Sequence, residues 1–133
     1  MNFDVLVIGG GAAGLMAAIT AAERGLKTAI VEKMSRPARK LMITGKGRCN
    51  LTNDTDVEGL ISAVTKNGRF MYSAFSNFSA SDTKKFFSDC GVPLKTERGN
   101  RVFPVSDKAV DIVDALVKRA RSANVEIIQN TVT

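Results

Sequence analysis

Histidine is absent from this chain of 133 residues, tyrosine occurs once and cysteine only twice. Without histidine, the commonest general base and the commonest metal ligand are lost together. Proton transfer would fall to a carboxylate, a lysine, a cysteine, the single Tyr72 or a bound cofactor. Cys49 and Cys90 have no C-x-x-C spacing, so neither a zinc site nor a disulfide framework is expected. No apolar run approaches the length that spans a membrane. Asp4 and three consecutive glycines interrupt the apolar start that a secretory signal would need, which makes the cytoplasm the default expectation.

What is present fits one soluble domain: 44% of residues are hydrophobic and 24% charged, enough to build a real core. The net charge of +6 raises nucleic acid as a partner. The excess is concentrated, however. Lys33, Arg36, Arg39, Lys40, Lys46 and Arg48 lie in one stretch without an acid, and a bound pyrophosphate beside it accounts for them. Nucleic acid is therefore not the expected partner.

The stretch from Phe3 to Glu32 carries the clearest pattern. It reads as a strand (Phe3 to Ile8), a glycine turn, a helix (about Ala12 to Arg24) and a second strand (Lys27 to Glu32). Val5-Leu6-Val7-Ile8 is an unbroken apolar run, as expected of a parallel strand covered on both faces. Gly9 can turn the chain off that strand, Gly11 leaves room for a phosphate, and Gly14 lets the helix press on the strand. Ala12 and Ala13 open a helix whose free N–H groups and dipole suit a pyrophosphate. Glu32 closes the second strand eighteen residues after Gly14, where a carboxylate can accept hydrogen bonds from ribose hydroxyls. With Ala18 and Gly25 the whole unit is G-x-G-x-x-G-x3-A-x6-G-x6-E, the pattern of an adenine-dinucleotide site. The competing readings are a glycine turn that binds nothing and an S-adenosylmethionine site, which has less need of Gly14. The helix itself is apolar nearly all round and is expected to be buried.

After Glu32 the pattern is interrupted by an insertion, roughly Met34 to Asp107. Within it Ser35-Arg36-Pro37 reads as a turn and Arg39 to Ile43 as a short helix. Further helices are expected at Asp56 to Val64, at Arg69 to Phe78, and at Asp82 to Cys90 capped by Ser81. Leu94 to Glu97 and Arg101 to Val105 read as a hairpin around Arg98-Gly99-Asn100. Ser106 then caps a helix with Val110, Val113, Leu116, Val117 and Ala120 on one face, and Val125 to Ile128 supplies a third parallel strand. The phenylalanines from Phe70 to Phe87 are expected beneath the insertion as core. Cys49 and Cys90 read as packing residues, and Arg36, Arg98 and Arg101 as solvated.

Arg39-Lys40-Leu41-Met42-Ile43-Thr44-Gly45-Lys46-Gly47-Arg48-Cys49-Asn50-Leu51-Thr52-Asn53, together with Arg101-Val102-Phe103-Pro104-Val105-Ser106-Asp107-Lys108-Ala109, resembles the BaiN/YhiN-like family of bacterial flavoproteins. The T-G-x-G-R-C-N loop is the more specific part, and the resemblance covers the entire chain. It implies an α/β fold: a Rossmann-like, glutathione-reductase-type FAD-binding domain, with a parallel sheet and a mostly helical insertion. It also implies FAD, held at the pyrophosphate by Gly9, Gly11, Ala12, Ala13 and Gly14 and at the adenosine ribose by Glu32. Lys33 would lie by the adenine end, and Arg39 and Lys40 would flank the phosphates. Thr44, Gly45, Arg48, Cys49 and Asn50 would run beside the ribityl chain and flavin ring, and Val132 would offer backbone groups to the adenine.

The family's chemistry is two-electron transfer through the flavin, with NAD(P)H or a small amine or carbonyl substrate as reaction partner; some members are described as aminoacetone oxidases. No catalytic residue is assigned and no metal is expected. Family members are about three times longer, so the chain is expected to be an N-terminal fragment and its Rossmann domain incomplete. An exposed sheet edge would then favour a homodimer. The alternatives are an NAD(P)H-binding domain without flavin and a non-catalytic basic interaction module.

Overall fold

A computed structural model describes residues 2–132. Its first sheet grows from two β-α-β crossovers. Strand β1 (Val5–Ile8) leads into helix α1 (Ala12–Glu23), which returns to strand β2 (Thr28–Val31). After a long excursion, helix α6 (Ala109–Ser122) delivers strand β6 (Glu126–Ile128) to the far side of β2. The order is β1-β2-β6 and every pairing is parallel, with Ile30 of β2 opposite Val7 and Ile127. Position in the sheet explains burial. β2, flanked on both sides, is buried along its whole length, whereas the edge strand β1 alternates. Leu6 and Ile8 are 55% and 60% exposed, so the apolar run of β1 is covered on one face and not, as its composition predicts, on two.

Helix α1 meets the sheet through Leu15, Ala18 and Ile19, and α6 packs beside it. Its other face, with Ala13, Ala17 and Thr20, is exposed, so the helix is buried on one side only. Small side chains make it look apolar all round, yet Ala13, Ala17 and Thr20 stand exposed. On α6 the buried face is centred on Ile112, Val113 and Leu116 with Ala109 and Ala120, while Val110 is exposed. The buried face is thus rotated from the predicted one, with Ile112 inside it and Val110 outside. Ser106 does not cap this helix. Its hydroxyl accepts from the Lys108 amide, and Lys108 itself takes the N-cap position.

Between β2 and α6 the chain builds helices α2 (Arg39–Ile43), α3 (Val57–Ala63), α4 (Tyr72–Asn77) and α5 (Ala80–Asp89). It also lays down a small antiparallel sheet in the order β3-β5-β4. The hairpin is strands β4 (Leu94–Glu97) and β5 (Arg101–Pro104), joined through Arg98–Asn100. Strand β3 (Thr52–Asn53) adds to it by pairing Thr52 with Val102, a two-residue strand with no periodicity to announce it. Helix α5 starts two residues earlier than expected, because Ser79 and Asp82 form a reciprocal capping box in which each side chain satisfies the other's amide. The segment from Arg69 to Phe78 divides into a 3-10 turn and α4. Of the phenylalanines from Phe70 to Phe87 only Phe87 is buried; Phe86 is half-buried against it edge-on, and Phe70 is 87% exposed. Aromatic content there does not translate into core, because α3 and α4 pack chiefly against each other and the neighbouring 3-10 turn.

Candidate cofactor site

The site lies where β1 hands over to α1. Gly9 sits at φ +98°, a turn that no other residue makes cheaply, and its amide bonds the carbonyl of Val31. Gly11 is the N-cap of α1, with extended backbone and no capping side chain, and there is no acid in the first turn. The helix N-terminus therefore points its amides at solvent without a built-in counter-group. A Cβ on Gly11 would meet nothing within 4 Å, so the space over it is open. A Cβ on Gly14 would lie 2.0 Å from the Gly9 carbonyl oxygen, so helix and strand are in backbone contact there. Ala12 and Ala13 are exposed beside this opening.

Glu32 leaves β2 buried, only 8% exposed, and beside the same turn. Its two carboxylate oxygens accept from the Gly10 amide at 2.7 Å and the Met34 amide at 2.9 Å. The Met34 and Gly10 amides hold the Glu32 carboxyl below its ordinary range, against the opposing effect of burial, so it is a carboxylate at neutral pH. Each oxygen has a further lone pair to offer. Gly10 is the participant that motif counting passes over. It occupies the free position of G-x-G, yet it is buried, and a Cβ there would come within 3.1 Å of the Glu32 carboxylate and of Pro37. A third glycine inside the turn, followed later by an acid, is the signal that could have found it.

The loop after α2 comes back to this corner. Ala38 donates to the Gly10 carbonyl at 2.7 Å, tying the start of α2 to the turn. Ala12 then lines one cavity of about 210 Å³ together with Thr44, Cys49 and Asn50, so the helix start and the T-G-x-G-R-C-N loop face a common space. Within the loop Gly45, Lys46 and Cys49 all have φ between 55° and 60°. At Gly45 a Cβ would lie 2.7 Å from the Asn50 amide nitrogen. The Asn50 side chain donates to the carbonyls of Thr52 and Val102, which leaves its own oxygen available. Cys49 is buried and burial pushes its thiol up, so it packs and does not present a thiolate.

The cationic residues separate into two groups. Lys33, Arg39 and Lys40 are exposed and enter no ion pair among the described residues. Arg48 is instead engaged by Glu97 and Asp107, so its charge is already balanced within the protein. Val132 is 87% exposed. The residues before it run along the end of β2, Thr131 donating to the Glu32 carbonyl at 3.0 Å and Asn130 to that of Met34 at 3.1 Å. The structure thus gathers Gly9 to Gly14, Glu32 and Lys33 at one corner, with Ala38 bonded to it. Thr44, Cys49 and Asn50 meet that corner at Ala12.

Parallel crossovers, a glycine turn at a bare helix start and a buried acid closing the second strand define a Rossmann-like domain with the architecture that binds dinucleotides. More narrowly, the chain belongs to the HI0933-like protein Rossmann domain family, whose model matches residues 3–133. The resemblance drawn from the T-G-x-G-R-C-N loop is thereby borne out. Ribosomal RNA dihydrouridine synthase of Escherichia coli (strain K12) is 31% identical over 124 residues, covering 93% of this chain and 30% of that protein. The Haemophilus influenzae protein of the same name is 26% identical over 136 residues, 94% of this chain and 33% of the other. The chain therefore spans 30–33% of the length of these curated relatives. Among solved structures, the 3-ketosteroid-delta4-(5alpha)-dehydrogenase of Rhodococcus jostii RHA1 superposes with a TM-score of 0.69 at 18% identity, covering 96% of this chain and 38% of that one. At that identity the likeness establishes the fold alone. No described helix is long and apolar enough to cross a membrane.

Proposed function

We propose that this chain holds FAD at the β1–α1 corner and forms the cofactor-binding part of a flavin-dependent oxidoreductase. The observation that carries the reading is the pairing of an uncapped helix start over open space at Gly11 with a buried, anchored Glu32 carboxylate beside it. Gly9, Gly11, Ala12, Ala13 and Gly14 would face the pyrophosphate, whose charge the helix amides solvate. Glu32 would take the ribose hydroxyls on its remaining lone pairs. Lys33 and the backbone near Val132 would border the adenine, and Arg39 and Lys40 would approach the phosphates. Thr44, Gly45, Cys49 and Asn50 would border the ribityl chain and ring, with the Asn50 oxygen as acceptor. Arg48 would contribute through its backbone, since its side chain is engaged elsewhere.

When bound, FAD supplies two-electron redox chemistry, and the protein supplies binding, orientation and electrostatics. For the whole protein we take the reading that its curated relatives' names support, formation of dihydrouridine in ribosomal RNA; NAD(P)H as hydride source is what the family resemblance implies. RNA then enters as a partner of the whole protein, as the net charge of +6 allows, although the clustering of the cations is accounted for by a pyrophosphate.

The test is a titration of the purified chain with FAD, NADH and S-adenosylmethionine, followed by visible absorbance and by fluorescence. The expected result is a perturbed flavin spectrum with saturable binding of FAD only. An unchanged flavin spectrum beside enhanced NADH fluorescence would overturn the flavin reading in favour of a nicotinamide domain.

A further inference from the structure

Six cations and no acid occupy Lys33 to Asn53, and among the described residues Arg48 is the one of them that meets an acid. Its guanidinium donates from Nε to Asp107 at 2.8 Å and from Nη2 to Glu97, and lies over the Phe103 ring with Cζ 3.9 Å from the centroid. Lys95 closes the cluster, its Nζ 3.1 Å from Glu97 and 2.9 Å from Asp107. Arg48 and Lys95 thus face two carboxylates, and Arg101 reaches Glu97 from the rim at 4.0 Å. The partners come from three places: Lys95 and Glu97 on β4, Phe103 on β5, and Asp107 just before α6, where it sits at φ +59°. Phe103 also lies against the loop itself, 3.2 Å from where a Gly45 Cβ would stand. The loop needs such support. Lys46 and Cys49 hold left-handed backbone without being glycine, a conformation that persists only where the surroundings impose it.

Resting on the FAD reading above, we propose that Arg48 is a positioning residue. It latches the Thr44–Asn50 loop to the β4–β5 hairpin, and so places Cys49 and Asn50 against the flavin, instead of neutralising a phosphate. The planar fork and the stacking surface are both in use, so lysine is a poor substitute although it keeps the charge. A phosphate contact behaves oppositely, because lysine serves there as a point charge.

The experiment compares Arg48→Lys, Arg48→Gln and Asp107→Asn with the unaltered chain, by FAD titration and by hydrogen exchange of individual amides without FAD. The latch predicts that all three weaken FAD binding, in the range of about 5-fold to tens of fold expected for coupling through an intermediate element. It also predicts faster exchange across residues 44–50 and unchanged exchange in α1 and β2. Asp107→Asn is the informative variant, since that carboxylate would repel a phosphate and its loss would otherwise strengthen binding. Near-normal FAD affinity in Arg48→Lys, or tighter binding in Asp107→Asn, overturns the latch in favour of a phosphate contact. Unchanged exchange at residues 44–50 in Arg48→Gln overturns it without reference to FAD. Failure of the unaltered chain to bind FAD, with loop exchange still accelerated in the variants, sinks the flavin reading and leaves the latch standing.

Discussion

Gly11 and Gly14 are both motif glycines, and the structure gives them opposite reasons to be glycine. In Gly14→Ala the new methyl would lie 2.0 Å from the Gly9 carbonyl oxygen, 3.1 Å from its carbon and 3.3 Å from Val7 Cγ1. Carbon–oxygen contacts settle at about 3.3–3.6 Å, so α1 must retreat from β1 by roughly 1.3 Å or more. Backbone cannot swing aside as a side chain does, which puts the cost near the upper end of overpacking, about 3 kcal/mol. In Gly11→Ala the methyl meets no atom within 4 Å, and the backbone at φ −79°, ψ −172° suits alanine. Only the N-cap preference is lost, about 1 kcal/mol or less. With a urea dependence of about 1–3 kcal/mol per molar, the Gly14 variant should unfold about 1–3 M earlier and the Gly11 variant about one third as far, within about 1 M of the unaltered chain. Binding should rank them differently. Gly11→Val fills the space assigned to the pyrophosphate while remaining folded, and should lose at least about tenfold in FAD affinity, or 1.4 kcal/mol. Circular dichroism in urea and a flavin titration measure the two quantities. Equal destabilisation of the two alanine variants, or unimpaired FAD binding by folded Gly11→Val, would refute the division of roles.

Glu32 makes stability sensitive to acid. Its folded-state carboxyl is held below the ordinary range of a glutamate, so its stabilisation is complete above about pH 5 and is lost as the pH falls through the lowered value. Urea midpoints measured from pH 7 down to pH 3 should decline less in Glu32→Gln than in the unaltered chain, and parallel declines would count against this assignment. The insertion's aromatics divide by burial: Phe87→Ala should cost about 3–5 kcal/mol and Phe70→Ser less than about 0.5 kcal/mol, judged by the same denaturation curves.

Much of this was legible in residue order, for reasons that are local. The β1–α1–β2 unit announces itself because a strand, a turn needing glycine and a helix pressed on a strand each restrict residue type at fixed spacing. The hairpin and the short helix at Arg39–Ile43 also follow from local signals. What escaped depends on partners distant in sequence. Thr52-Asn53 is a strand only because Val102 and Arg101 lie opposite. Whether Leu6 and Ile8 are covered depends on what stands across the sheet, and no property of β1 encodes that. Arg48 reads as one more cation in a basic stretch until Glu97 and Asp107, far along the chain, close on it. Ser79 was displaced by Ser81 as the expected cap because both are serines, and only the reciprocal bond to Asp82 separates them.

The acid at the end of β2 also explains how so long an excursion leaves the Rossmann unit undisturbed. One Glu32 oxygen holds the Gly10 amide and the other the Met34 amide, while the Gly10 carbonyl holds Ala38. The chain returning from β6 bonds the Glu32 and Met34 carbonyls through Thr131 and Asn130. Four stretches, the glycine turn, the end of β2, the entry to α2 and the segment after β6, are therefore cross-bonded within a few residues of one carboxylate. A carboxylate so fixed would have little rotamer freedom left to lose on binding the proposed sugar. It also means that the excursion leaves from an anchored corner, so the helices and hairpin beyond Ala38 can vary in packing without displacing the cofactor corner. The same bonds make Glu32 a structural residue before it is a binding one. Its replacement should therefore perturb the free protein, whereas filling the space over Gly11 should be felt chiefly when the cofactor is added.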